Sequence, residues 1–237
     1  MLKYVLFDLD GTLTESGPGI MQGVRYALEK RKIPVPGEEI LSQFVGPPLY
    51  LSFMRHFGMT EQEAKDIVPV YKEFYDHEGV LINRPYPGVP EMLKDLQDAG
   101  LQLAVASAKP HALMEKVLDH FALKSYFTVA QGARDTGTPD TKRQSILEAL
   151  TCLSVPMEEM DGMPGKEGGT WPRCLTEEIL MVGDRRDDVE GADAFGIRTV
   201  AVRWGYAPAG ELEDTDAVAI VDTAAELTAY LLRARQS

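Results

Sequence analysis

Two acidic residues separated by a single leucine, Asp8 and Asp10, stand at the end of an apolar run near the start of the sequence. The run, Tyr4 to Phe7, has the length and apolarity of a short buried strand. Two carboxylates at the end of one buried strand repel each other unless a cation lies between them or one is protonated. An ion that prefers oxygen ligands, such as Mg²⁺, suits this pair. The spacing also allows one carboxylate to attack an electrophile while the other transfers a proton.

Two other kinds of site are excluded by spacing. An EF-hand calcium loop beginning at Asp8 would need Glu at its twelfth position, where the sequence has Gly19, and it would need a preceding helix. The later pair Gly165-Lys166 lacks the preceding Gly and the following Ser or Thr that a phosphate-binding P-loop requires. The acidic pair is therefore the leading candidate for a chemical site.

The composition indicates a folded, acidic protein. Of its 237 residues, 44% are hydrophobic, and the formal net charge is −13. This charge argues against binding a nucleic-acid polymer through a broad basic surface, whereas a small anionic ligand needs only a local positive pocket. No apolar run has membrane-spanning length, and the first residues lack the pattern of a signal peptide. We expect a cytoplasmic protein with no membrane partner, and both a monomer and a homodimer remain open.

Residues 15–84 carry helical periodicity and no strand pattern. Apolar spacing predicts three helices, at residues 18–32, 49–57 and 61–78. The third contains Pro69, which we expect to kink or interrupt it. This segment is predicted to form a small all-helical domain.

From Pro85 onward, predicted strands alternate with predicted helices. The strands are expected at residues 101–106, 126–130, 179–182, 198–202 and 217–221, and the helices at residues 89–99, 110–121, 140–150, 187–195 and 224–232. This alternation predicts an α/β fold with a doubly wound, mostly parallel, Rossmann-like sheet. The first strand needs partners and must join that sheet. The core domain would then comprise residues 1–14 and 85–237, and the all-helical domain would be an insertion.

Residues 153–177 are rich in Gly, Pro and charge, which predicts a surface loop, with contact to a partner as one interpretation. Cys152 and Cys174 flank this loop. A disulfide could close it, but without a secretion signal we expect two free thiols.

Polar residues occupy four positions where an open parallel sheet binds ligands, at the carboxyl ends of its strands. They are the acidic pair Asp8 and Asp10, then Ser107, Lys142, and Asp184 with Asp188. Each has an ordinary structural explanation, since a serine can cap a helix, a lone lysine is usually solvated, and acidic residues favour the first turn of a helix. Their joint occurrence at these positions favours one shared site.

The motifs as a set resemble a known family. Asp8-Leu9-Asp10-Gly11-Thr12, Ser107-Ala108-Lys109-Pro110, Lys142 and Gly183-Asp184-Arg185-Arg186-Asp187-Asp188 are similar, in this order, to the four motifs of the haloacid dehalogenase (HAD) superfamily. The resemblance covers essentially the whole chain, and the helical insertion resembles the C1-type cap domain of that superfamily. Residues 12–17 and 44–49 are most similar to phosphoglycolate phosphatase-like and bacterial 5′-nucleotidase-like members.

The resemblance implies a role for each motif residue. Asp8 would be the nucleophile that forms an aspartyl-phosphate, and Asp10 would protonate the leaving group and then accept a proton from water. Ser107 and backbone N–H groups around Ala108 would bind phosphoryl oxygens. Lys142 would offset the charge on the transferring phosphoryl group.

The resemblance also implies Mg²⁺ as the cofactor. The Asp8 carboxylate, the Asp10 backbone carbonyl and Asp184 would hold the ion. Asp188 would orient metal-bound water rather than bind the metal directly. One departure from the family pattern is Ala108, where relatives often have Asn or Ser, so a side-chain contact to substrate would be missing here.

Substrate contacts from the cap-like insertion are expected at Glu15, Gly46, Pro47, Pro48 and Leu49. An alternative remains open for the last three, because a proline pair also suits the start of a helix and Leu49 could pack inside the domain.

The expected function is Mg²⁺-dependent hydrolysis of a small phosphorylated metabolite, with phosphoglycolate or a nucleoside 5′-monophosphate as substrate. A pyrophosphatase and a sugar phosphomutase similar to β-phosphoglucomutase are alternatives. The mutase is disfavoured because such enzymes carry a His soon after the first motif, whereas the first His here is His56. Haloacid dehalogenation is weaker still, since that chemistry needs neither Asp10 nor a metal. The alternative outside enzymes is a regulatory protein that binds a phosphometabolite.

Overall fold

A computed structural model describes residues 1–134, 142–158, 173–174 and 177–236, with only the backbone at 158, 173 and 174. The chain divides into two compact units, Met1–Leu13 with Pro85–Ser237 and Thr14–Arg84. We call them the core unit and the inserted unit.

The core unit is built on one six-stranded sheet in which every pairing is parallel. Its strands, in the order β3-β2-β1-β6-β7-β8 across the sheet, are β1 (Tyr4–Phe7), β2 (Gln102–Pro110), β3 (Val129–Ala133), β6 (Ile179–Gly183), β7 (Arg198–Val202) and β8 (Ala219–Val221). The first strand lies in the middle, with later strands added on both sides. The predicted doubly wound parallel sheet is confirmed.

Helices connect these strands. They are α5 (Val89–Asp98), α6 (His111–His120), α7 (Lys142–Cys152), α8 (Arg186–Asp193) and α9 (Ala224–Gln236). Leu6 of β1 and Met181 of β6 are fully buried in a core that also contains Ile146 of α7 and Ala192 of α8, so these two helices cover one face of the sheet. Burial of such side chains, at about 25 cal/mol per Å² of apolar surface, holds the helices against the strands.

The inserted unit is helical. Its α-helices are α1 (Gly17–Lys30), α2 (Glu38–Leu41), α3 (Leu49–Phe57) and α4 (Glu61–Tyr75). A capping box starts α4: the Thr60 side chain accepts from the Glu63 N–H, and the Glu63 carboxylate accepts from the Thr60 N–H. Helix α4 continues through Pro69, so of the two expected effects the interruption does not occur and the kink stays a prediction. Pro69 and Lys65 are both exposed, so water can hydrate the carbonyl that loses its N–H partner.

Two predicted strands are misplaced. Strand β2 runs to Pro110 instead of ending at residue 106, since Pro110 still pairs with Ala133 after a register shift. Strand β3 begins at Val129 rather than at Tyr126, which lies in a short 3-10 turn over Lys124–Tyr126. The aromatic residues Tyr126 and Phe127 mimic the start of a strand in the sequence.

The predicted surface loop at 153–177 lies mostly outside the described residues. Residues 153–156 form turn and irregular structure as predicted, but Met157–Glu158 (β4) pairs antiparallel with Arg173–Cys174 (β5). Cys152 is a free, exposed thiol, so the alternative disulfide is absent at that residue. Among the described residues, no helix is both long enough and apolar enough to cross a bilayer.

Candidate active site

Three neighbouring strands deliver the site residues to one edge of the sheet. Phe7 of β1 lies opposite Val105 of β2 and Val182 of β6. Asp8 directly follows Phe7. Ser107 lies two residues after Val105, and Asp184 lies two residues after Val182. Strand order reverses at β1, and open parallel sheets bind ligands where such a reversal occurs.

Three carboxylates form the centre of the site. Asp8, Asp184 and Asp188 each place an oxygen within 4.8 Å of the others, and all three residues are buried. Buried acidic groups at this separation repel one another unless cations compensate them. All-oxygen ligand sets of this kind suit Mg²⁺, so the residues present fit the metal that the sequence motifs implied.

Asp184 is held from two sides. The Thr12 hydroxyl donates to its Oδ1 at 3.1 Å, and the Tyr206 backbone N–H donates to its Oδ2 at 2.8 Å. Two glycines make room for the carboxylate, since a Cβ added at Gly11 or at Gly205 would lie 2.3 Å from Asp184 atoms. Gly11 also has a φ of +92°, a conformation that suits glycine.

Asp188 lies in the first turn of α8 and is oriented by the backbone. Its Oδ2 accepts from the N–H groups of Asp184 and Arg185, both at 3.0 Å, and its Oδ1 faces Lys142 at 2.8 Å. A Cβ at Gly183 would lie 2.2 Å from this carboxyl group. The expected role of Asp188 in orienting metal-bound water stays a prediction, and its place in the three-carboxylate cluster also makes it a candidate ligand.

Lys142, at the start of α7, brings a positive charge into the cluster. Its Nζ contacts Oδ1 of Asp8 and Oδ1 of Asp188, and it donates to the Ala106 carbonyl at 3.2 Å. Its side chain is only 10% exposed, so these contacts are screened little by water. A solvated lysine, the ordinary structural explanation, is therefore wrong.

Burial and repulsion shift the titration of the cluster. Desolvation raises the pKa of Asp8 to about 6, against the opposing effect of the Lys142 ammonium. Desolvation, followed by repulsion from Asp188 and Asp8, raises the pKa of Asp184 well above its usual range. Desolvation lowers the pKa of Lys142, but the carboxylates of Asp188 and Asp8 outweigh it and raise that pKa overall. The cluster thus favours states in which further positive charge or protons are bound.

Asp10 stands apart from the three carboxylates. Both of its carboxylate oxygens accept from Lys109 Nζ, at 3.1 and 3.0 Å. Its side chain is 21% exposed, more than those of Asp8 and Asp188. Asp8 pairs with Lys142 and Asp10 with Lys109, and Asp10 is the more exposed of the two carboxylates. They can therefore have different chemical roles.

The second motif lies within β2 rather than at a helix start. Ser107 is buried, its Oγ accepts from the Lys109 N–H at 3.2 Å, and its carbonyl accepts from the Ser145 hydroxyl at 2.9 Å. Ala108 next to it is exposed. Helix α7 is thus fixed to the end of β2 by Lys142 and Ser145.

Several site residues were missed by the sequence analysis. Ser145 and Gly205 belong to none of the recognised motifs. Thr12 lies in the first motif, but the sequence assigned it no role. Lys109 could have been found, because it lies two residues after Ser107, and alternate residues of a strand share a face.

The substrate contacts expected in the inserted unit, among them Glu15 and Gly46, fall at positions with local structural features. Glu15 forms an ion pair with Arg84, and its N–H donates to the Arg84 carbonyl at 2.8 Å. Gly46 is exposed and has a φ of +106°. Helix α3 begins directly after Pro48, as the alternative interpretation of the proline pair expected. Their substrate contacts stay predictions.

Comparison with known proteins gives a consistent family. The family model described as haloacid dehalogenase-like hydrolase matches residues 5–202. A 5′-nucleotidase from Pseudomonas aeruginosa is 33% identical over 213 residues, which cover 89% of this chain and 88% of that protein. The tyrosine-protein kinase PtkA of Mycobacterium tuberculosis is 35% identical over 222 residues, covering 94% of this chain and 69% of that protein.

Solved structures share the whole fold. The crystal structure of a predicted phosphatase from Clostridium acetobutylicum superimposes with a TM-score of 0.84 and 33% sequence identity. The match covers 98% of this chain and 99% of that chain.

Proposed function

Because the chain belongs to the haloacid dehalogenase-like hydrolase family, we propose that it is a Mg²⁺-dependent phosphatase of a small phosphomonoester. One observation carries this proposal. The buried Asp8 carboxylate, at the end of the central strand, contacts Lys142 and lies in a cluster with Asp184 and Asp188. The Lys142 ammonium can offset the negative charge of a phosphoryl group bound at Asp8, and the three carboxylates can hold a cation.

Asp8 is the proposed nucleophile. Its carboxylate attacks phosphorus, the bond to the leaving oxygen breaks, and an aspartyl-phosphate forms. Lys142 contacts this carboxylate through Nζ, so its positive charge lies beside the phosphoryl group that Asp8 accepts. Fixed charges in a buried site need no reorganisation during the reaction, which is why their effect on rate is large.

Asp10 is the proposed acid and base. It gives a proton to the departing oxygen and later takes one from the water that attacks the aspartyl-phosphate. Unlike Asp8, it is partly exposed, so it can exchange protons with solvent between turnovers.

Asp8 and Asp184 are the proposed metal ligands, together with the Asp10 backbone carbonyl, and Asp188 lies close enough to contribute. When bound, Mg²⁺ would neutralise phosphate charge and polarise the phosphorus–oxygen bonds. The residues themselves supply the rest: Thr12 and the Tyr206 N–H hold Asp184 in place.

Phosphate recognition is proposed for Ser107, for the backbone N–H of Ala108, and for Lys142. Ser107 is buried and fixed on both sides, so its hydroxyl can bind a phosphoryl oxygen without a large loss of entropy. The side chain of Ala108 adds no polar contact.

Phosphoglycolate and nucleoside 5′-monophosphates are the proposed substrates, the latter also supported by the 5′-nucleotidase relative. We propose that the protein acts in the cytoplasm and binds no nucleic-acid polymer. Pyrophosphate hydrolysis and sugar-phosphate isomerisation remain alternatives, as does a purely regulatory phosphometabolite-binding role. The relative named tyrosine-protein kinase adds phosphoryl transfer to tyrosine as a further activity to test.

The test is phosphate release by purified protein from 4-nitrophenyl phosphate, phosphoglycolate, nucleoside 5′-monophosphates and pyrophosphate. We expect release with Mg²⁺, loss of release with EDTA, and at least a 10³-fold lower kcat for Asp8→Asn. Asp95→Asn, at an exposed position of α5, is the matched control. Full activity of Asp8→Asn would eliminate the proposed nucleophile. Tight binding of a phosphate mimic without turnover would favour the regulatory role, and phosphotyrosine formation from ATP would favour the kinase.

A further inference from the structure

Lys109 is a buried cation that the proposed mechanism has not used. Its side chain is 3% exposed, and its Nζ donates to both carboxylate oxygens of Asp10 at 3.0 and 3.1 Å. A lysine is rarely buried unless it is paired. Here Lys109 is paired with the carboxylate of Asp10, the proposed general acid and base.

The backbone places Lys109 with little freedom. Its N–H donates to Ser107 Oγ at 3.2 Å, within the irregular end of β2. On its other side, Gly132 of β3 approaches so closely that a Cβ there would lie 2.7 Å from the Lys109 carbonyl oxygen. The main chain at Lys109 is therefore fixed. This limits the positions open to the ammonium group and to the Asp10 carboxylate that it binds.

We propose that Lys109 is a positioning residue, which holds the Asp10 carboxyl group in the orientation needed for both proton transfers. The inference rests on the proposed phosphatase function. When the phosphorus–oxygen bond of the substrate breaks, the Asp10 proton goes to the leaving oxygen. When water attacks the aspartyl-phosphate, its proton returns to Asp10 as the Asp8–phosphorus bond breaks. Lys109 stays an ammonium ion throughout and exchanges no proton.

The geometry permits this arrangement. A carboxylate has about four lone-pair positions, and the two bonds from Lys109 use only two of them. The remaining positions can carry the transferred proton. A bidentate contact also stops rotation of the carboxyl group, which is the freedom that a general acid must lose to act efficiently.

This role predicts a dependence on the leaving group. An alkyl phosphate has a basic leaving oxygen that needs the proton, whereas 4-nitrophenolate departs without one. Removing the Lys109 contact should therefore reduce kcat/KM for an alkyl phosphate far more than for 4-nitrophenyl phosphate. The ratio kcat/KM is the useful quantity because it reports the steps up to departure of the leaving group.

The experiment compares Lys109→Met, which keeps the apolar stem, with the control Lys124→Met, at a surface lysine paired with Glu115. We expect Lys109→Met to lose about 10²-fold in kcat/KM for an alkyl phosphate and less than about fivefold for 4-nitrophenyl phosphate. In Asp10→Asn, the further change Lys109→Met should cost less than about threefold, since its effect acts through Asp10. Circular dichroism checks folding, and Lys109→Gln replaces Lys109→Met if the latter does not fold.

Equal losses for the two substrates, or losses that add in the double variant, would overturn the inference. Absence of turnover in the wild type would instead refute the phosphatase proposal. In that case crystal structures of wild type and Lys109→Met decide the positioning claim. A rotated or disordered Asp10 carboxyl group in the variant supports it, and an unchanged, ordered one overturns it.

Discussion

Replacing the proposed nucleophile by its neutral isostere should stabilise the metal-free protein. Asp8 is buried, and desolvation, opposed by Lys142, raises its pKa from 3.8 to about 6. The folded state therefore binds a proton more tightly than the unfolded state does. The contribution of this carboxyl group to stability is highest below pH 3.8 and falls as the pH rises from there through about 6, because the carboxylate must ionise inside the fold. Asp8→Asn removes this cost.

The size of the effect follows from the pKa difference. At about 1.36 kcal/mol per unit, ionised Asp8 lowers the free energy of unfolding by about 3 kcal/mol above pH 7. For a protein of this size, that corresponds to a rise in Tm of roughly 6–12 °C for Asp8→Asn in EDTA at pH 8. At pH 4.5 the same difference shrinks to about 1 kcal/mol, because Asp8 is then protonated in the folded protein.

Differential scanning calorimetry in EDTA at pH 8 and pH 4.5 measures both values. The control is Asp95→Asn, at an exposed position of α5, which should change the free energy of unfolding by less than about 0.5 kcal/mol. A lower Tm for Asp8→Asn than for wild type at pH 8 would refute the reasoning. So would a gain that is the same at both pH values, because packing rather than charge would then explain it.

Three further outcomes follow from the same cluster. Addition of 5 mM Mg²⁺, roughly the range in which weak protein sites fill, should raise the wild-type Tm and leave that of Asp184→Asn unchanged in a thermal shift assay. Lys142→Met should lower the free energy of unfolding in EDTA at pH 8 by roughly 3–5 kcal/mol in urea denaturation, since it leaves buried carboxylates unpaired. Gly205→Ala should weaken Mg²⁺ binding at least about tenfold by calorimetry, because its Cβ would press on Asp184, whereas Gly37→Ala, whose nearest atoms lie at 3.9 Å, should not. Each of these three predictions is wrong if its variant, Asp184→Asn, Lys142→Met or Gly205→Ala, gives the wild-type result in the assay named.

Much of the core could be predicted because its signals are local. The run Tyr4–Phe7 is apolar and ends in a carboxylate, and it forms β1 with the predicted bounds. Arg198–Val202 likewise forms β7 as predicted. Such strands are buried on both faces in a parallel sheet and stand out as apolar runs in any sequence. Strand β3 was misplaced because Gln131 and Gly132 give it no such run.

The partners within the site could not be predicted in the same way. Motif positions identified Asp8, Asp184 and Lys142, but which carboxylate Lys142 contacts depends on how α7 packs against the sheet. Sequence spacing brought Asp8 and Asp10 together as one acidic pair. In the structure their side chains have separate cations, because helix α7 supplies Lys142 to Asp8 and strand β2 supplies Lys109 to Asp10.

Supporting atoms were the least predictable. The Tyr206 N–H that binds Asp184 is a backbone group, so its residue type carries no signal. Gly205 matters only because Asp184 lies against it. Contacts between distant parts of the chain determine both, and no local pattern encodes them.

The central claim, that Asp8 forms the covalent intermediate, is tested most directly by trapping. Wild-type protein mixed with substrate and Mg²⁺ is quenched during turnover, reduced with borohydride and digested, and the N-terminal peptide is sequenced by mass spectrometry. The account predicts homoserine at position 8, the product of reducing an aspartyl-phosphate, and none when substrate is omitted. Active turnover with homoserine at another aspartate and an unmodified Asp8 would contradict it.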